Sequence, residues 1–326
     1  MARAWHFALR FQSFFGLIAL FIVAAVVSPV RNGNSVFLNP ANLLNVLRFA
    51  SENGIIAIGM TMVILTGGID LSVGAVLALC AVAVATGMMK MHVGTGAVIL
   101  MVLALGTAVG LANGVVTTRL RLQSFITTLA MLSIARGAAS LWSGGYAVPL
   151  AFGPGAAPPS FKTLFAGELP LGGGAIPAQI FYFIAVGALA GWVLQRTAFG
   201  RHVYAVGSNE SASRLSGVAV DRVKVIVFGV SGFLSALAAM LHAALVNQGS
   251  HIDGAGYELN AIAAVVIGGT SLAGGRGTVL GSMIGALILS ILDNILGLKN
   301  IQSEYQMILK GVIIVLAVVL QRTRRE

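Results

Sequence analysis

Residues 53–89 read NGIIAIGMTMVILTGGIDLSVGAVLALCAVAVATGMM, two uncharged runs interrupted by a single charge, Asp70. Each run approaches the roughly 20 mostly apolar residues that a helix needs to cross a bilayer. The rest of the chain has the same character: 57% of the 326 residues are hydrophobic and only 9% are charged. An average soluble domain is about 25% charged. So few charges cannot cover a water-facing surface, and lipid is the solvent that matches. Cys80 is the single cysteine, and a lone thiol in an apolar run reads as packing rather than as part of a disulfide or metal framework.

Working outward, further apolar runs fall at 11–30, 91–118, from 124 onward, 169–195, 225–246, 257–274, 277–298 and 304–321. This predicts an all-α polytopic membrane protein of about ten transmembrane helices, forming one domain over 1–326. The first run is too long for a secretory signal core and reads as an uncleaved span. Residues 144–175 are rich in Gly and Pro and read as an external loop. The basic residues cluster at 3–10, 119–121, 196–224 and 322–325. Ten crossings put all four clusters on one side, as the positive-inside rule requires, with both termini cytoplasmic. The net charge of +10 is thereby explained by topology. No interleaving of basic and aromatic residues points to nucleic acid.

Glycines at Gly106, Gly110 and Gly114, and at Gly277, Gly281 and Gly285, recur every fourth residue. Each set predicts a smooth helix face for close crossing, as does the pair Gly187 and Gly191. A nucleotide loop at 275–281 is disfavoured, because the glycine spacing is wrong and no soluble strand precedes it. Residues 67–77 (GGIDLSVGAVL) are echoed at 268–280 (GGTSLAGGRGTVL). Such echoes mark duplicated broken or re-entrant helices beside a transport path.

Three segments, at 59–79, 199–224 and 258–285, resemble the inner-membrane permeases of ribose-type ABC importers, in order and over nearly the whole chain. The resemblance implies one subunit of a membrane pathway, paired with a second permease subunit that is a copy or a relative. It also implies a cytoplasmic ATPase, a periplasmic sugar-binding protein and no cofactor. The chain has no G-x-x-x-x-G-K-[ST] loop of its own, so the expected activity is non-catalytic and the fuel is spent elsewhere.

The cytoplasmic loop 196–224 is the expected ATPase contact. Residues 209–217 are predicted to form a short coupling helix: Ser208 or Asn209 is the N-cap, Glu210 complements the dipole, and Gly217 ends it. Ala212 and Leu215 would share an apolar face, with Arg214 beside them. The spacing departs from the common importer motif: Glu210 and Gly217 are seven apart instead of six.

Asp70 has two readings, a pathway or gate residue at mid-bilayer or a surface cap for a helix starting at Leu71. Ser72 is a second candidate for either role. Asn53, Asn113, Asn260 and Asn294 are polar groups in apolar helices, suited to a passing sugar or to interhelical bonds. Arg136 and Lys310 read as paired or snorkelling cations. Asp253 and Glu258 flank an external turn where a binding protein could dock. His242 and His251 lie nearby without the tight cluster a zinc site needs, so no metal is expected. An ion-coupled transporter is the alternative; it would need buried mid-membrane carboxylates, and only Asp70 and Asp293 qualify. A membrane enzyme would need a His/Asp/Glu constellation that the sequence lacks.

Overall fold

The computed structural model describes residues 12–153, 156–171 and 174–322. The basic residues expected at the N-terminus, Arg3 and Arg10, and Arg324 and Arg325 at the C-terminus, lie outside the described residues. In chain order the elements are α1 (Gln12–Val27), β1 (Val30–Arg31), β2 (Asn34–Ser35), α2 (Pro40–Leu65), α3 (Val73–Met89), α4 (Thr95–Arg119) and α5 (Ser124–Ser143). Then come β3 (Val148–Pro149), α6 (Pro159–Ala166), β4 (Glu168–Leu171), β5 (Gly174–Pro177), α7 (Ala178–Arg196), α8 (Ala198–Ser208) and α9 (Glu210–Leu215). Last are α10 (Val220–Val246), β6 (Gln248–Gly249), α11 (Tyr257–Ile267), α12 (Val279–Leu298) and α13 (Ser303–Arg322). The fold is all-α and polytopic. Among the described residues six helices, α2, α4, α5, α7, α10 and α12, are long and apolar enough to cross a membrane; α1, α3 and α11 are shorter apolar helices.

The core is built around α3, which is buried along almost its whole length. Helices α10, α5 and α4 pack around it, and the buried second half of α2 packs in turn on α10. Cys80 lies inside this core. Lipid tails are as apolar as these side chains, so the helices are held by close contact of small residues rather than by a hydrophobic driving force. The α4 strip shows how. A Cβ on Gly106 would come within 2.5 Å of the Gly232 carbonyl, one on Gly110 within 2.2 Å of the Phe228 carbonyl, and one on Gly114 within 2.6 Å of Val225 Cα. All three face α10.

The second strip needs correction. Gly281 and Gly285 do face α11, close to the carbonyls of Gly268 and Ala264. Gly277 does not belong with them. The helix begins at Val279, with the Thr278 hydroxyl capping the Gly281 N–H, and Gly277 lies before it at φ +154° against Thr270. Gly187 meets Met283, whereas Gly191 has open space around it.

The 144–175 region is more ordered than its composition suggests. Within it α6 buries Phe161 and Phe165, and the Phe165 ring stacks on Tyr182 of α7 at 5.7 Å. β4 and β5 pair antiparallel, and β3 pairs with β6. Thr95 and Ser160 share a hydrogen bond of 2.8 Å, and Arg48 pairs with Glu168 at 3.1 Å. These contacts gather α6 and the strands at the end of the bundle opposite α8 and α9.

Candidate functional site

The sequence echo marks two helix interruptions. At the first, α2 ends with Gly67 left-handed (φ +79°) and the Gly68 N–H bonded back to the Val63 carbonyl at 3.1 Å. At the second, α11 ends with Gly269 left-handed (φ +90°) and the Thr270 N–H bonded to the Val265 carbonyl at 3.1 Å. Both are the same glycine-dependent helix stop. The structures align Gly67 with Gly269, one residue out of step with the sequence echo.

An interrupted helix exposes backbone polar groups, which lipid cannot satisfy. At 66–72 the first turns of α5 satisfy them. Ser124 Oγ accepts from the Ile69 N–H at 3.0 Å, and Thr128 Oγ1 accepts from the Leu71 N–H at 3.1 Å. Asp70, 2% exposed, accepts from the Ser72 N–H at 3.0 Å, the Ser72 hydroxyl at 2.7 Å and the Ser231 hydroxyl at 2.9 Å. Asn113 Nδ2 donates to Ser72 Oγ at 2.9 Å.

Three of the five predicted pathway residues, Asp70, Ser72 and Asn113, therefore meet in one buried network. Asp70 is not a surface cap. The helix after it starts at Val73, not Leu71, and Ser72 makes no side-chain cap bond. Asn53 and Asn260 stand apart, half-buried on α2 and α11. Asn294 exchanges hydrogen bonds with Asn42 at 2.9 and 3.0 Å, which is the interhelical reading.

The second interruption folds back onto the first. The Gly275 N–H donates to the Leu65 carbonyl at 3.0 Å, and the Tyr204 hydroxyl donates to the Gly277 carbonyl at 2.9 Å. Gly207 of α8 sits between them: a Cβ there would lie 1.7 Å from the Leu65 carbonyl oxygen and 2.6 Å from the Gly275 nitrogen. Both interruptions thus share one junction with α8.

From that junction the chain passes through Asn209 into α9. Asn209 Oδ1 accepts from the Ala212 N–H at 2.9 Å, so it is the N-cap. Gly217, left-handed at φ +82°, follows the helix end, where the Val218 N–H bonds to the Ser213 carbonyl at 3.0 Å. Ala212 and Leu215 are exposed, Leu215 at 91%, so the predicted apolar face points away from the bundle. Glu210 pairs with Lys224 at 2.6 Å and Arg214 at 3.0 Å, and Arg214 also pairs with Asp221. Burial works against ionisation of Glu210, but its hydrogen bonds from Lys224 and Arg214 outweigh that and hold its carboxyl below the ordinary range. These pairs are half-exposed, so each adds well under about 1 kcal/mol, and their value is in orienting α9 on α10. A cavity of about 480 Å³ opens beside them, with Thr117, Arg121, Glu210, Arg214 and Lys224 in its walls. It brings the 119–121 and 196–224 basic clusters to one end of the molecule.

A second polar group gathers His242, Asp253 and Arg136, which the sequence singled out, around Glu52, which it did not. Glu52, 1% exposed, lies 3.1 Å from His242 Nδ1, and His242 Nε2 is 3.7 Å from Asp253. Arg136 donates to the carbonyls of His251 and Asp253 at 2.5 and 2.7 Å, fixing the turn between β6 and α11. Asp253 is turned inward, where it also accepts from the Ser250 N–H at 2.8 Å, and so is not free to dock a partner. Lys310 pairs with Asp293 at 2.9 Å.

The family model for the permease component of branched-chain amino acid transport systems matches residues 42–318. The ribose import permease protein RbsC of Haemophilus influenzae is 42% identical over 313 residues, covering 96% of this chain and 93% of that one. The autoinducer 2 import system permease protein LsrC of Klebsiella pneumoniae is 36% identical over 319 residues, covering 97% and 87%. The L-arabinose ABC transporter permease protein AraH of Azospirillum brasilense is 36% identical over 293 residues, covering 89% and 82%. No solved structure matches the chain. The match spans both interruptions, the junction and α9, so the chain belongs to this permease family, as a non-catalytic, multi-pass inner-membrane subunit of a ribose-type ABC sugar importer.

Proposed function

We propose that the chain supplies half of a sugar pathway driven from outside by a cytoplasmic ATPase. Its sugar arrives on a periplasmic binding protein, and a second permease subunit completes the pathway. The observation that carries this reading is the junction at Gly207, which joins both helix interruptions directly to the segment leading into α9. Ten helices, α1–α5, α7 and α10–α13, cross or enter the bilayer, and both termini lie in the cytoplasm. The end bearing α9, Arg119, Arg121, Arg196 and Arg201 is then cytoplasmic. Residues 196–224 form the coupling loop, and the exposed Ala212 and Leu215 meet the ATPase. The solute is a sugar, a pentose or hexose or a related small polyol-like molecule, in keeping with the ribose, autoinducer 2 and L-arabinose in the names of three relatives. Ion coupling is disfavoured because each of these carboxylates is already engaged, Asp70 by Ser72 and Ser231, Glu52 by His242, and Asp293 by Lys310.

Gly217 tests the coupling surface. A Cβ there meets nothing within 4 Å, but φ is +82°. Arginine at 217 costs about 1–2 kcal/mol of local strain and places a long cation beside α9. Gly217→Arg is expected to reach the membrane at normal levels and to lose import. Normal uptake by that variant would count against α9 as the ATPase contact.

A further inference from the structure

Four polar residues along α10 fall on one line. Lys224, Ser231, Ser235 and His242 are spaced by seven, four and seven. At about 100° per residue these positions lie within roughly 40° of one another on the helix surface. The positions between them are almost all apolar. A polar stripe this narrow is costly to bury unless each group has a partner.

The partners come from different elements. Lys224 Nζ reaches Glu210 of α9 at 2.6 Å. Seven residues on, the Ser231 hydroxyl donates to Asp70 of the 66–72 interruption at 2.9 Å. Eleven residues further, His242 meets Glu52 of α2 and Asp253 of the turn leading into α11. Ser235 differs: its hydroxyl turns back to the Ser231 carbonyl of its own helix at 2.9 Å. The helix is 27 residues long, about 40 Å, and contains no proline. Its glycine-bearing middle is clamped against α4, with Gly232 facing the Gly106 carbonyl.

We infer that this stripe makes α10 a second route, beside the Gly207 junction, by which movement of α9 reaches the 66–72 interruption and the turn before α11. Ser231 and His242 are then positioning residues for import rather than groups that touch the sugar. Each fastens a segment that must move to a helix whose first turn is fastened to α9. The inference rests on the reading of α9 as the ATPase contact.

The test uses the complete transporter, with its ATPase and binding protein, in proteoliposomes. Sugar import and ATP hydrolysis are measured together for Ser231→Ala, His242→Gln and Ser235→Ala, each normalised to reconstituted protein. Ser231→Ala and His242→Gln are expected to keep hydrolysis within twofold of wild type while import per ATP falls at least tenfold. The sugar-loaded binding protein should half-saturate import at an unchanged concentration. Ser235→Ala, equally buried but bonded within its own helix, should import within twofold of wild type. Import by Ser231→Ala within twofold of wild type overturns the inference. So does a parallel fall of import and hydrolysis, or an equal loss in Ser235→Ala. If Gly217→Arg abolishes import while Ser231→Ala does not, the stripe fails and the coupling surface stands. If Gly217→Arg imports normally, the coupling surface itself fails.

Discussion

Gly207→Ala is expected to abolish import although it adds a single methyl group. That methyl would stand 1.7 Å from the Leu65 carbonyl oxygen and 2.6 Å from the Gly275 nitrogen. Both are backbone atoms, and they bond to each other at 3.0 Å, so neither can rotate aside as a side chain could. The clash is relieved only by moving α8 away from the junction or by parting the two interruptions. Either movement endangers the Tyr204–Gly277 bond as well. Overpacking of this kind costs about 1–3 kcal/mol, which a large membrane bundle survives, so the variant should accumulate in the membrane. Uptake of labelled sugar per unit of membrane protein should nevertheless fall more than tenfold. Gly191→Ala, where a Cβ meets nothing within 4 Å, is the matched control and should remain within twofold of wild type.

Asp70→Ala should show the next largest effect. The substitution leaves the Ser72 N–H and the hydroxyls of Ser72 and Ser231 without their acceptor inside the bundle. Each stranded buried group costs about 1–3 kcal/mol. The expected result is a clear fall in the unfolding temperature in detergent and an uptake loss of at least tenfold. Asp70→Asn keeps the shape and one acceptor oxygen and should fall between alanine and wild type on both measures. Wild-type uptake by the alanine variant would show that the 66–72 interruption does not depend on this network.

Much of this was legible because hydropathy and punctuation act locally. Apolar runs located most of the helices, although α2 begins at Pro40, well before the run that starts at Asn53. Among the described residues six of the about ten expected spans are long and apolar enough to cross. Glycine pairs located both interruptions. Asp70 and Asn113 stood out because a charge or an amide inside an apolar run needs a partner. The network's other side was not legible. Ser231, Ser124 and Thr128 are small hydroxyl residues that helices accept without any change in pattern. Their role depends on which helix lies opposite, a tertiary fact. Glu52 was passed over because it stands at the edge of an uncharged run, where a charge reads as a boundary. Gly277 was misassigned because a four-residue spacing was continued past the helix start. The signal against it was Thr278, a capping residue directly before an apolar run. The order in 144–175 was hidden by its Gly and Pro content, although Phe161 and Phe165 sit four residues apart, as an apolar face requires.

The central claim is that this chain is a moving but passive sugar pathway. The direct measurement is sugar uptake into proteoliposomes holding the purified chain, with and without its ATPase, binding protein and ATP. The account predicts accumulation only when all partners and ATP are present, and no nucleotide hydrolysis by the chain alone. Accumulation driven by a proton or sodium gradient with the chain alone would contradict it.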